Sequence, residues 1–154
     1  MKLFTAVLLI SLIVGRGLGE NDEWKKIAPL KTTRADVEAL LGPAQGAYEV
    51  VYQLKDGHLS IEYSIGPCKP GQHGGWNVPE NVVISLHFSP RRTNRLKDLR
   101  LNLTKFRKVE GGHTPTYTYY IDDETGVTYA VEKSRVVYIE YGPPKEFNDL
   151  YCKD

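Results

Sequence analysis

The sequence predicts an α+β protein, an antiparallel β-sheet of about six strands with a short capped helix packed on one face. Three observations carry this. The stretch 29–43, PLKTTRADVEALLGP, holds a helix start signal, a helical apolar stripe and a stop signal. From Ala47 the apolar period changes from helical to two, and it recurs in short runs separated by Gly-, Pro- and Asp-rich breaks. At 154 residues the chain has the size of one domain able to bury its own core.

In chain order, 1–19 reads as a Sec-type signal peptide. Lys2 supplies the charged start, 3–14 is almost wholly apolar, and Gly17-Leu18-Gly19 is a small-x-small cleavage site. The run is too short to span a bilayer comfortably, and 20–154 is then a single α+β domain. The expected location is secreted or periplasmic, with no transmembrane segment after cleavage. Trp24 and Ile27, three apart, suit one helical turn that Pro29 ends. In the helix, Thr33 and Asp36 form the start signal, Val37, Leu40 and Leu41 the stripe expected to be buried, and Gly42-Pro43 the stop.

Tyr48, Val50, Tyr52 and Leu54 share a strand face. After a turn at 55–58, Leu59, Ile61, Tyr63 and Ile65 return with Ser60, Glu62 and Ser64 opposite, a hairpin with one wet face. The 66–78 stretch, GPCKPGQHGGWNV, is a long loop. Val82, Ile84, Leu86 and Phe88 then alternate with Ser85 and His87. In 89–108 helical and strand periods fit equally well, and the type of that segment stays open. Tyr117, Tyr119 and Ile121 lead to a hairpin turn at 122–126; Val127, Tyr129 and Val131 return, and Val137, Ile139 and Tyr141 follow a tight turn at 133–135. The two halves can be read as tandem (α)βββ units, with IEYSIGP and YIEYGPP as the likeness.

Charge and cysteines bound the function. Twenty basic residues face 19 acidic ones, and the loss of Lys2 and Arg16 with the leader leaves the chain near neutrality, so no global charge draws it to nucleic acid. The neutral mean conceals a basic segment: 91–108 holds Arg91, Arg92, Arg95, Lys97, Arg100, Lys105, Arg107 and Lys108 against Asp98 alone. In an oxidising compartment Cys68 and Cys152 are expected to form a disulfide.

Residues Thr33, Val37, Leu40, Leu41, Gly42 and Pro43 resemble the opening of the BamE/SmpA-like envelope proteins, in which a Thr-led helix ends in Leu-Gly before an antiparallel sheet. Lys31 departs from the Gly of that pattern, Pro43 follows Gly42 directly, and the lipid-anchoring Cys is absent. A tandem of such units also resembles the β-lactamase inhibitor protein architecture. The whole chain, with Trp24, Ile27, Pro29 and Leu30 and the 75–79 Gly-Trp-Asn-Val-Pro loop, resembles a group of secreted bacterial proteins. These resemblances imply a fold and an envelope location, and no reaction.

No residue set reads as a catalytic centre. Cys68 with His73 could form a thiolate and base, or join His58, His87 and Cys152 as a metal set, but the spacing fits no zinc pattern and an oxidised Cys is no nucleophile. The 71–75 loop lacks the Lys-Ser/Thr and helix of a phosphate cradle, and Asp122, Asp123 and Glu124 read as solvated turn chemistry. The expected function is an exported non-catalytic binding or envelope-accessory protein, without cofactor or metal. It would contact an envelope protein or acidic envelope component through the 68–78 loop (Trp76, His73) and the basic segment (Arg91, Arg92, Arg95, Arg100, Lys105, Arg107). The alternative is a secreted hydrolase with a site near Cys68 and His73.

Overall fold

A computed structural model describes residues 23–44, 46–71, 74–111 and 116–153. The expected leader 1–19 and His73 lie outside them. One α-helix, α1 (Arg34–Leu41), precedes seven strands: β1 (Glu49–Gln53), β2 (Gly57–Tyr63), β3 (Val83–Pro90), β4 (Arg107–Glu110), β5 (Thr118–Asp122), β6 (Val127–Glu132) and β7 (Arg135–Tyr141). All pair antiparallel in one sheet of order β1-β2-β3-β7-β6-β5-β4. The α+β class is therefore as expected, with seven strands in place of about six.

The extra strand comes from the segment whose type the sequence leaves open. Its leucines form two 3₁₀ turns, Leu96–Leu99 and Leu103–Lys105, before β4 begins. Arg100, at φ 52°, ends the first turn in the left-handed region, and the Asn102 side chain accepts from the Thr104 N–H to open the second. Neither a long helix nor a long strand can run through that break.

The helix start is the one expected. Thr33 caps α1 and accepts from the Asp36 N–H at 3.3 Å, while the Asp36 carboxylate accepts from the Thr33 N–H at 2.9 Å, a reciprocal capping box. The stripe differs from expectation: Val37 is 0% exposed and Leu41 partly buried, but Leu40 is 38% exposed. An eight-residue helix presents a narrow stripe, and its packing angle turns Val37 inward and Leu40 out. Val37→Ala is accordingly expected to cost about 2 kcal/mol and Leu40→Ala about 0.5 kcal/mol, read from urea melts. Equal losses would contradict that orientation. Arg34 ties the helix to the chain entering β1, donating to the Gly46 and Ala47 carbonyls at 2.8 and 3.0 Å and to Glu38 at 2.9 Å.

Two meanders, β1-β2-β3 and β5-β6-β7, meet at β3–β7 with Leu86 opposite Tyr141 and Phe88 opposite Ile139. On one face the larger core gathers Trp24, Ile27 and Val37 over Val50, Tyr52, Leu59, Ile61, Tyr63, Leu86 and Phe88. A smaller core lies under the 3₁₀ turns, with Leu96, Val131 and Val136 joined by Tyr120, Tyr129 and Ile139. Two register shifts move side chains from the expected faces. One between Glu62 and Tyr63 brings Val83, not Ile84, inward opposite Tyr63; the other between Ala130 and Val131 brings Val136, not Val137, inward. After β2 the alternation stops, so Ile65 is 57% exposed while Ser64 is buried and bonded to the Gly66 N–H. The IEYSIGP and YIEYGPP segments lie at the ends of β2 and β7, which hold different places in their meanders.

Candidate functional site

Three regions carry chemistry-bearing side chains. The first is the 68–78 loop. Cys68 and Cys152 are disulfide-bonded, with Cα atoms 5.7 Å apart across 84 residues of sequence, so Cys68 has no thiolate to offer as a nucleophile or ligand. Around the bridge the loop is tied to the C-terminal tail: the Asn77 N–H donates to Leu150 O at 2.7 Å and the Cys152 N–H to Gly75 O at 3.0 Å. The Trp76 ring meets Tyr151 edge to face at 5.3 Å. Trp76 is half-buried against the tail, which leaves Tyr151, 46% exposed, as the more accessible aromatic.

The second region gathers part of the basic segment. Arg95 and Arg135 sit opposite each other in an isolated antiparallel bridge, held by Leu96 N–H donating to Ser134 O at 3.0 Å and Val136 N–H to Asn94 O at 2.9 Å. This places Arg95 and Lys97 beside the β6–β7 turn, where Lys133 and Ser134 both take positive φ (46° and 68°). With Lys108 from β4 they border a groove of about 690 Å³ floored by Leu96, Tyr120 and Val131. Arg95, Lys97, Lys108, Lys133 and Arg135 supply five positive charges, and among the described residues no carboxylate lines it, with Glu110 and Glu132 pairing Lys108 and Lys133 from outside the lining. The hydrogen bond from Lys108 to Glu110 raises the Lys108 pKa above its ordinary value and keeps it charged.

The other expected contacts are elsewhere. Arg91 and Arg92 are exposed at the bend after β3, where the Arg91 N–H donates to Asp56 O; Arg100 and Lys105 are exposed on the 3₁₀ turns. Arg107 points to the opposite face from Lys108 and donates to both Asp123 oxygens at 3.0 and 2.8 Å. The acidic turn is thus engaged: Asp122 accepts from the Glu124 N–H, Arg107 holds the Asp123 carboxyl below the ordinary carboxylate range, and Glu124 accepts from Lys145 at 2.8 Å. Of the described members of the expected set, only Arg95 lines the groove. Lys133 and Arg135 were not expected there; a sequence signal exists only in their adjacency at a tight turn.

The third region is the open face of the sheet, opposite the helix. Glu49, Glu62 and Glu140 border a depression of about 620 Å³ with Ser60, Ser85 and His87. Ser60 donates to Glu49 at 2.6 Å and Ser85 to Glu62 at 3.1 Å. Beside it His87 stacks on Tyr138 at 4.1 Å, and Tyr117 meets Tyr138 and Tyr119 edge to face. The tyrosines are divided between faces, since Tyr120 and Tyr129 join the smaller core. Burial pushes the phenols of Tyr63 and Tyr129 up and that of Tyr141 up to about 12, which leaves them neutral at physiological pH.

Among the described residues no group of three or more His, Cys, Asp or Glu is placed to hold a metal ion, and no helix is long and apolar enough to cross a membrane. Comparison of the chain with protein-family models, curated proteins and solved structures finds no significant match.

Proposed function

We propose that the chain is an exported, non-catalytic binding protein of the cell envelope that takes an acidic envelope component in the basic groove. The carrying observation is the convergence of Arg95, Lys97, Lys108, Lys133 and Arg135 on one groove that, among the described residues, has no carboxylate in its lining. Like charges placed directly opposite on a sheet are destabilising, and Arg95 faces Arg135 across a bridge. An acidic ligand relieves that repulsion on binding. Export is supported by the signal-like 1–19 stretch, by the disulfide, which suits an oxidising compartment, and by the resemblance of 33–43 to the opening of the BamE/SmpA-like envelope proteins.

Fluorescence anisotropy with a labelled oligoglutamate probe tests the reading. Binding is expected to weaken as salt rises, and the pair Arg95→Glu and Lys133→Glu to weaken it about tenfold, with the fold intact by circular dichroism. Arg91→Glu, outside the groove lining, is expected to leave affinity near the wild-type value. Binding indifferent to both salt and the paired reversal would overturn the groove as the site.

A further inference from the structure

The two ends of the sheet carry different chemistry. The β4 edge, Arg107–Glu110, is charged at three of its four positions, with Arg107 bonded to Asp123 and Lys108 to Glu110. Such an edge discourages pairing with another chain. The β1 edge, Glu49–Gln53, reads EVVYQ, with one charge, no Lys or Pro, and Val51 56% exposed.

The backbone of β1 is arranged for a further strand. Tyr63 N–H donates to Tyr48 O and Leu54 N–H to Gly57 O, so by the period of two the peptide groups of Tyr48, Val50, Tyr52 and Leu54 point to β2. Those of Glu49, Val51 and Gln53 point outward, and among the described residues β1 has no strand neighbour besides β2. We infer that a second copy of this chain pairs antiparallel along β1, about a two-fold axis through Val51, to form a dimer with one continuous sheet.

The register selects this occupant. A two-fold at Val51 sets Val51 against Val51, Glu49 against Gln53 and Val50 against Tyr52, so polar meets polar, apolar meets apolar and no two carboxylates face each other. Val51 with Val51 and Glu49 with Gln53 then become hydrogen-bonded pairs, with Gly46 already close against the Glu49 carbonyl. Centring the axis on Glu49 instead opposes two carboxylates, and centring it on Gln53 sets Val51 against Lys55. The contact is isologous and closes at two copies, since the remaining free edge is the charged β4. This dimer is independent of the groove, which lies at the other end of the sheet.

Sedimentation velocity of the full chain over a range of concentrations tests it. The wild-type chain is expected to pass from monomer to dimer, and Val51→Lys, which opposes two ammonium groups at a position exposed in the monomer, to remain monomeric with unchanged circular dichroism. Gln53→Glu places a carboxylate opposite Glu49 of the other copy; its association is expected to weaken and to recover as salt rises, and it carries the test should Val51→Lys fail to fold. Val109→Lys on β4 is expected to dimerise as the wild type does. A wild-type chain monomeric throughout, dimerisation of Val51→Lys equal to wild type, or loss of the dimer in Val109→Lys would overturn the inference.

Discussion

Replacing Trp24 with alanine is expected to destabilise the fold by about 3–5 kcal/mol and to lower its melting temperature by about 10 °C or more. Trp24 sits in the 3₁₀ turn Glu23–Lys26 and is 3% exposed. Its ring stacks on Phe88 at 4.7 Å and meets Tyr141 edge to face at 5.8 Å. Phe88 belongs to β3 and Tyr141 to β7, so the indole covers the seam where the two meanders join. Truncation removes a large apolar area and leaves a void on both sides of that seam, which the surrounding strands cannot close without losing register. Among the described residues the buried indole N–H has no hydrogen-bond partner, so Trp24→Phe forfeits chiefly area and is expected to cost clearly less. Urea unfolding followed by circular dichroism measures both. A loss below about 1 kcal/mol for the alanine variant would show that the leading turn contributes little to the core.

The second large effect is on the Cys68–Cys152 bridge. It closes 84 residues of chain, for which loop-closure entropy gives about 4.5 kcal/mol of stabilisation. The bridge also fastens the tail, whose other ties include the Asn77 and Cys152 N–H bonds, the Trp76–Tyr151 contact and the Lys145–Glu124 ion pair. Replacing both cysteines with alanine is expected to cost about 2–5 kcal/mol and to expose the tail to proteolysis before the sheet unfolds. Urea melts with and without limited proteolysis read both quantities. Simultaneous loss of tail and sheet, at a cost below about 1 kcal/mol, would contradict this.

What was legible in the sequence was local. The capping box at Thr33 and Asp36 needs only residues three apart, and the turns at 122–126 and 133–135 declare themselves in Gly, Asp and Ser. The disulfide was legible for another reason, since two cysteines in a chain expected to meet an oxidising compartment leave one pairing. Faces were less so. A bulge adds one residue to a strand without altering its composition, and this is how Val83 and Val136 displace Ile84 and Val137 from the core. The strand β4 was hidden because an edge strand of Arg, Lys, Val and Glu has no buried face and so no apolar alternation. The groove was half visible. Arg95 and Lys97 belong to the basic segment, but Lys133 and Arg135 reach them only through tertiary pairing, as in the Arg135 bond to Thr93 across 42 residues.

The most direct test of the account is a ¹⁵N-resolved NMR titration of the full chain with the oligoglutamate probe. Shifts concentrated on Arg95, Lys97, Lys108, Lys133 and Arg135, and fading as salt rises, are the expected result. Shifts confined to the 68–78 loop or to the acidic open face, or no shifts at all, would contradict it.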